Sequence, residues 1–201
     1  WVPLSADEAE LVRLWIREQG TRVYLKDLFD CSIALGERSI GSEETDLGRL
    51  FTAAKYEQNQ DAAEALARHA AQAIRTMNSF ASVGAISCPP PRPDKTFDLP
   101  TLVAKRVAKL TGVPFVELGE WKGPKGQLKD VPADRKWQEL EGVGFSVNPA
   151  LLKVGGGTLI VDDIYQSGTT LNFLRSQLTG VGVARAASLS LVKAARDTDN
   201  Q

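Results

Sequence analysis

Cysteine is scarce: Cys31 and Cys88 are the only two in 201 residues, far apart and with no Cys-x-x-Cys pair. That excludes a zinc ribbon or a disulfide scaffold and fits a reducing compartment, so a cytoplasmic location is expected. Histidine is scarcer still. His69 is alone, inside an alanine-rich helical stretch, and reads as a helix-surface residue rather than a catalytic group. No apolar run approaches the roughly 18 residues that span a bilayer, so no membrane segment is expected. Net charge is also nearly absent, at −1, which argues against a chain built wholly to coat nucleic acid.

What remains is 43% apolar and 24% charged, the composition of a globular chain of one domain. A chain of this length buries roughly 70% of the surface that its unfolded form exposes, so it needs no staples. Its charge is uneven. Residues 1–80 carry a balance of −4, residues 81–140 a balance of +3, and residues 141–201 are neutral. The middle third is therefore the place to look for an anionic ligand.

Hydrophobic periodicity orders the chain. Ser5 to Glu18 reads as a capped helix with Leu11, Leu14 and Trp15 on one face. Val23–Leu25 and Ser32–Leu35 read as short strands around Asp30, with a hairpin near Gly36. Glu37–Asp46 reads as a polar loop. Asp61–Ile74 is helical, as is Leu99–Leu110, which Gly112 and Pro114 close. Between them, Val83–Cys88 is a buried strand running into the rigid loop Pro89-Pro90-Pro91-Arg92-Pro93. Phe115–Glu117 and Phe145–Val147 read as further strands. Gly119–Gln138 between them is polar, basic and without periodicity, as functional loops often are. Thr158–Val161, Thr170–Leu178 and Ala187–Val192 complete an alternation of strands and helices. The expected fold class is α/β, a mainly parallel twisted sheet flanked by helices.

One segment carries chemistry: Thr158-Leu-Ile-Val-Asp162-Asp163-Ile164-Tyr165-Gln166-Ser167-Gly168-Thr169-Thr170-Leu171. A hydrophobic strand delivers two adjacent carboxylates, and a small-residue turn leads straight into a helix. In a parallel sheet, that turn lies at the carboxyl ends of the strands, where ligands bind. Backbone N–H groups from Gln166 to Thr170 and the hydroxyls of Ser167, Thr169 and Thr170 suit a phosphate monoester. Gly168 allows close approach or a positive φ. Asp162 and Asp163 suit a sugar diol, bound directly or through a hydrated divalent ion. A Walker A loop would need a lysine after its second glycine, and a dinucleotide fingerprint would need Gly155-Gly156-Gly157 after the strand rather than before it. A phosphoacceptor receiver domain would need another acceptor aspartate and a lysine over more chain than remains. The bland alternative is an Asp-Asp helix cap beside a Ser-Gly turn.

The segment resembles the phosphoribosyl pyrophosphate (PRPP) signature of type I phosphoribosyltransferases. The likeness extends towards the ComF-like, competence-associated branch, in Lys55-Tyr56 within a helical stretch, the proline loop Cys88–Pro93, and Gln127, Arg135 and Gly144-Phe145. It covers about residues 52–192. The chain departs from that branch in lacking an N-terminal cysteine-rich metal site, and in carrying Asp94-Lys95-Thr96-Phe97 where Arg-Gly-Phe is usual. It departs from purine-salvage members in carrying Gln166 where they have an aspartate base, which argues against a 6-oxopurine acceptor.

The resemblance implies one phosphoribosyltransferase domain over 1–201, with a small N-terminal hood (1–57) and a core (58–201) whose flexible flap spans about 119–138. It implies transfer of phosphoribose from PRPP to a nitrogenous base, with magnesium as cofactor and release of pyrophosphate. Tyr165, Gln166, Ser167, Gly168, Thr169 and Thr170 would hold the 5-phosphate. Asp162 and Asp163 would hold the ribose hydroxyls and, through water, the metal. Lys125 and Arg135 would join the two aspartates as catalytic groups. Pro90, Pro91, Arg92, Lys122 and Lys129 would meet the pyrophosphate. Prolines lack N–H groups, so Arg92 is the better contact, and a cis X-Pro bond could shape the loop. Lys136 would close with the flap, and Trp121 and Trp137 would stack on a base or anchor the flap. Two other functions fit the same residues: a non-catalytic PRPP-binding regulator with a protein partner, and an accessory of DNA uptake that meets single-stranded DNA. A homodimer is in keeping with the family.

Overall fold

In the computed structural model, residue 5 and residues 21–92, 95–124, 126 and 131–194 are described. The helix expected over Ser5–Glu18 lies almost wholly outside them.

Five strands form the main sheet: β1 (Val23–Tyr24), β2 (Cys31–Ala34), β5 (Val83–Ser87), β8 (Gly157–Tyr165) and β9 (Ala186–Lys193). Their order is β1-β2-β9-β8-β5. Only β1 is antiparallel; β2, β9, β8 and β5 pair in parallel. The expected α/β class is what the chain adopts. Strand β2, from the segment expected to form the hood, is hydrogen-bonded to β9 inside this sheet. Residues 25–30 turn the β1–β2 hairpin, so the reversal is not at Gly36. Glu37–Asp46 is more than a loop, because Ser39–Ile40 (β3) and Glu43–Glu44 (β4) form a two-stranded ribbon. Gly41 takes φ +61° at its turn.

Helices cover both faces. On one lie α1 (Asp46–Tyr56), α2 (Gln60–Thr76) and α3 (Leu99–Thr111). Each starts on a side-chain cap. Thr45 accepts from Gly48 N–H, Asn59 from Asp61 and Ala62 N–H, and Asp98 from Thr101 N–H. These oxygens satisfy donors that a helix start leaves orphaned. The alanines of α2 are buried along its length, letting α1 and α3 pack closely on either side. On the other face lie α4 (Ala133–Val143) and α5 (Thr169–Gly180), with a ribbon of β6 (Gly119–Trp121) and β7 (Phe145–Val147).

Strand β8 shows why two layers form. Alternate side chains point to opposite faces: Leu159 and Val161 join the core under α1–α3, whereas Ile160 joins the one under α4 and α5. The segment expected to be structureless, Gly119–Gln138, is ordered at both ends by this second core. Trp121 packs against Phe145 at 5.0 Å and Phe173 at 6.1 Å, and α4 buries Leu140. Phe115–Glu117 contributes one parallel bridge, Phe115 to Ile86, rather than a full strand.

Leu159 is fully buried in the larger core. Leu159→Ala should therefore cost about 2–5 kcal/mol of unfolding free energy. Leu152→Ala, at an exposed site, should stay within about 0.5 kcal/mol. Urea denaturation of both variants measures the difference.

Candidate functional site

The strand order reverses beside β5. The chain leaves β5 outward, through α3 to the bridge at Phe115, and leaves β8 in the other direction, through α5 to β9. Ligands of open parallel sheets bind outside the carboxyl ends of strands at such a switch point. Here the ladder between β5 and β8 ends at Ser87 and Ile160, whereas that between β8 and β9 continues to Tyr165 and Lys193. Strand β8 overhangs β5, and the overhang carries the acidic pair.

Two cavities meet at that overhang. The smaller, of about 130 Å³, is lined by the turn Tyr165–Thr170 together with Asp162, Ile164, Leu171 and Lys136. All six residues expected to hold a phosphate are therefore around one cavity. Gly168 takes φ +70° as the cap of α5. Its missing side chain also makes room, because a Cβ there would lie 2.3 Å from the Tyr165 hydroxyl. Tyr165 is buried beneath the turn and supports it. The hydroxyls of Ser167 and Thr169 are 2.9 Å apart, and the first N–H groups of α5 point out of the helix end beside them.

The larger cavity, of about 540 Å³, lies on the other side of Asp162 and Thr170, which line both. Pro90, Pro91 and Arg92 form one wall and Lys55, Tyr56 and Asp163 another. Lys95 and Asp98 also line it and approach each other to 3.5 Å. No cis peptide occurs among the described residues. The bonds preceding Pro89, Pro90 and Pro91 are trans, which removes the expected cis bond there. The bond preceding Pro93 lies outside the described residues.

The two aspartates differ. Asp163 is 8% exposed and its Oδ2 meets Lys55 Nζ at 2.8 Å. Asp162 is half-buried and its Oδ1 accepts the Asp163 N–H at 2.9 Å. Among the described residues no three His, Cys, Asp or Glu side chains gather as a metal-ligand set. Asp162 could reach a hydrated ion through water. Asp163 already has a cation.

Of the basic residues expected in the flap, Lys125 and Lys129 lie outside the described residues, as does Gln127. Lys122 and Arg135 are exposed and line neither cavity. Lys136 is different: it is 6% exposed and lines the small cavity. It reaches the turn of β8–α5 rather than the cavity walled by Pro90–Arg92. Trp121 and Trp137 serve as anchors. Trp121 Nε1–H donates to the Pro90 carbonyl at 3.3 Å, and Trp137 meets the edge of Phe173 at 5.5 Å. Tyr56, 61% exposed, is instead the aromatic that borders the large cavity, with its ring edge-on to Phe51 at 6.3 Å. Lys55-Tyr56 matches a family pattern in the sequence, which gives neither residue a role. The available signal was a lysine ending a helix, where the helix dipole favours a cation.

No family model matches the chain, and no curated protein matches it. Solved structures do. An adenine phosphoribosyltransferase from Leishmania donovani is 11% identical with a TM-score of 0.45, over 89% of this chain and 93% of that one. A hypothetical protein from Neisseria gonorrhoeae with bound ppGpp is 14% identical with a TM-score of 0.44, over 71% and 73%. The L. donovani hypoxanthine-guanine phosphoribosyltransferase is 16% identical with a TM-score of 0.37, over 72% and 71%.

Burial pushes the Cys88 thiol up to about 12; the Thr101 hydrogen bond opposes this, and the charges of Asp98 and Asp162 add to it. Below that pH the thiol stays protonated, so Cys88 should resist iodoacetamide at pH 8 in the native protein and react once urea unfolds it. Mass spectrometry of the peptide reads this. Gly168→Ala should cost about 1–3 kcal/mol of stability through its positive φ and the Tyr165 contact. Urea denaturation of the variant reads this loss.

Proposed function

We propose that the chain binds 5-phosphoribosyl 1-pyrophosphate and transfers its phosphoribosyl group to a nitrogenous base. The observation that carries this reading is the adjacency of three parts at one switch point. These are the phosphate-sized cavity of Tyr165–Thr170, the acidic pair, and the large cavity walled by Pro90–Arg92. A ligand with a phosphate at one end, a diol in the middle and a second anionic group at the other spans them in that order.

In the reaction, the acceptor nitrogen forms a bond to C1 of the ribose. The C1–O bond breaks, and its electron pair leaves on pyrophosphate. Positive charge develops on the sugar, so positioning and electrostatics supply the catalysis. Asp162 and Asp163 orient the hydroxyls and face that charge. Arg92 meets the departing pyrophosphate, with Lys125, Lys129, Lys122 and Arg135 as flap cations. Lys136 joins the turn around the 5-phosphate. Magnesium carried in on the pyrophosphate would neutralise leaving-group charge, and Asp162 is the carboxylate that would meet it through water. Gln166 cannot accept a proton, so the acceptor nitrogen must be nucleophilic without a protein base at that position.

The same residue supports a second reading, a PRPP-binding regulator without turnover. The ComF-like branch remains the finer family reading, on Lys55-Tyr56 and the proline loop; a single-stranded DNA partner, a homodimer and a cytoplasmic location belong with it.

Calorimetric titration with PRPP and magnesium tests the proposal. Wild type should bind, and Asp162→Asn should bind at least about tenfold more weakly. Pyrophosphate release on adding a panel of bases supports the transferase; binding without release from any base supports the regulator. No heat at millimolar PRPP overturns both.

A further inference from the structure

We infer that Lys55 is a built-in cation at the ribose end of the site and takes the place of a divalent ion at Asp163. The inference rests on the reading above and concerns how its ribose-phosphate portion is held.

Four features fix the ammonium group. It lies 2.8 Å from Asp163 Oδ2. It stands 5.1 Å from the centroid of the Phe51 ring and 5.9 Å from that of Tyr56, within the range of cation–π attraction. It belongs to the last turn of α1, whose carbonyl end favours positive charge. Phe51 is fully buried, so this platform does not move aside. The Asp163 backbone is fixed too, because β8 is paired with β9 on both sides of it, at Asp162 and at Ile164.

A divalent ion at Asp163 would meet this ammonium at close range and be repelled by it. It would also lack ligands, since the described residues near Asp163 offer no third carboxylate, histidine or cysteine set. Lys55 is 25% exposed on its side chain and lines the large cavity. Its remaining donors can therefore reach a ligand hydroxyl while Asp163 accepts from another. The pair presents one donor and one acceptor to a diol, without a metal between them. A metal would then serve the pyrophosphate alone, and a ligand without pyrophosphate would need none.

Ribose 5-phosphate is that ligand, and isothermal titration of the full chain with it, in EDTA and in magnesium, gives the test. Wild type should bind equally in both. Lys55→Met, which keeps the stem over Phe51 and removes the charge, should lose about 100-fold in EDTA and recover in magnesium. Lys55→Arg should bind in EDTA, which keeps the test decisive if the methionine variant does not fold. Binding of ribose 5-phosphate by wild type only in magnesium overturns the inference and leaves the PRPP reading standing. Failure of both ribose 5-phosphate and PRPP to bind in either buffer overturns that reading itself.

Discussion

The length by which one strand outruns its neighbour organises this molecule. Strand β8 is paired on both edges through Ile160, but beyond that residue only β9 continues beside it. A central strand of a parallel sheet is covered on both faces and tolerates charge only where cover ends. Asp162 and Asp163 stand just past that point. The missing partner is also what opens the crevice, since the chain of β5 turns away as a proline loop that cannot continue a ladder.

Side-chain alternation then divides the labour. Asp163 follows Leu159 and Val161 towards α1–α3, and there it meets the lysine that ends α1. Asp162 follows Ile160 towards α4 and α5 and borders the smaller cavity. Two adjacent carboxylates thus acquire different partners from the period of the strand alone. A slip of one residue in register would exchange them and bury both wrongly.

Much of this was legible in the residues. The run Thr158–Leu171 specified strand, acid pair, glycine turn and helix in order, because each part has a strong local cause. Gly112 likewise marked the end of α3, whereas its Asp98 cap was shown only by the structure. What stayed hidden depended on distant contacts. Gly119–Gln138 lacks periodicity, yet β6 is ordered because Trp121 finds Phe145 and Phe173, the latter 52 positions later in the chain. Lys136, expected to close with the flap, is turned inward by α4. Lys55 matches a family pattern, but its partner, a buried carboxylate, is brought to it only by β8. Polar residues whose partners are tertiary leave no local pattern.

The indole of Trp121 joins two parts that otherwise belong to different layers. Its ring lies within the aromatic packing under α5, while its N–H holds the Pro90 carbonyl. Three consecutive prolines already stiffen the loop along its length, and the indole fastens it sideways. That wall of the large cavity is therefore an elastic extension of the hydrophobic interior rather than a free rim. Its resistance to deformation is that of close-packed aromatic rings, which yield only by coming apart. A mutation deep beneath α5, far from any ligand, would be felt first as slackness in that wall.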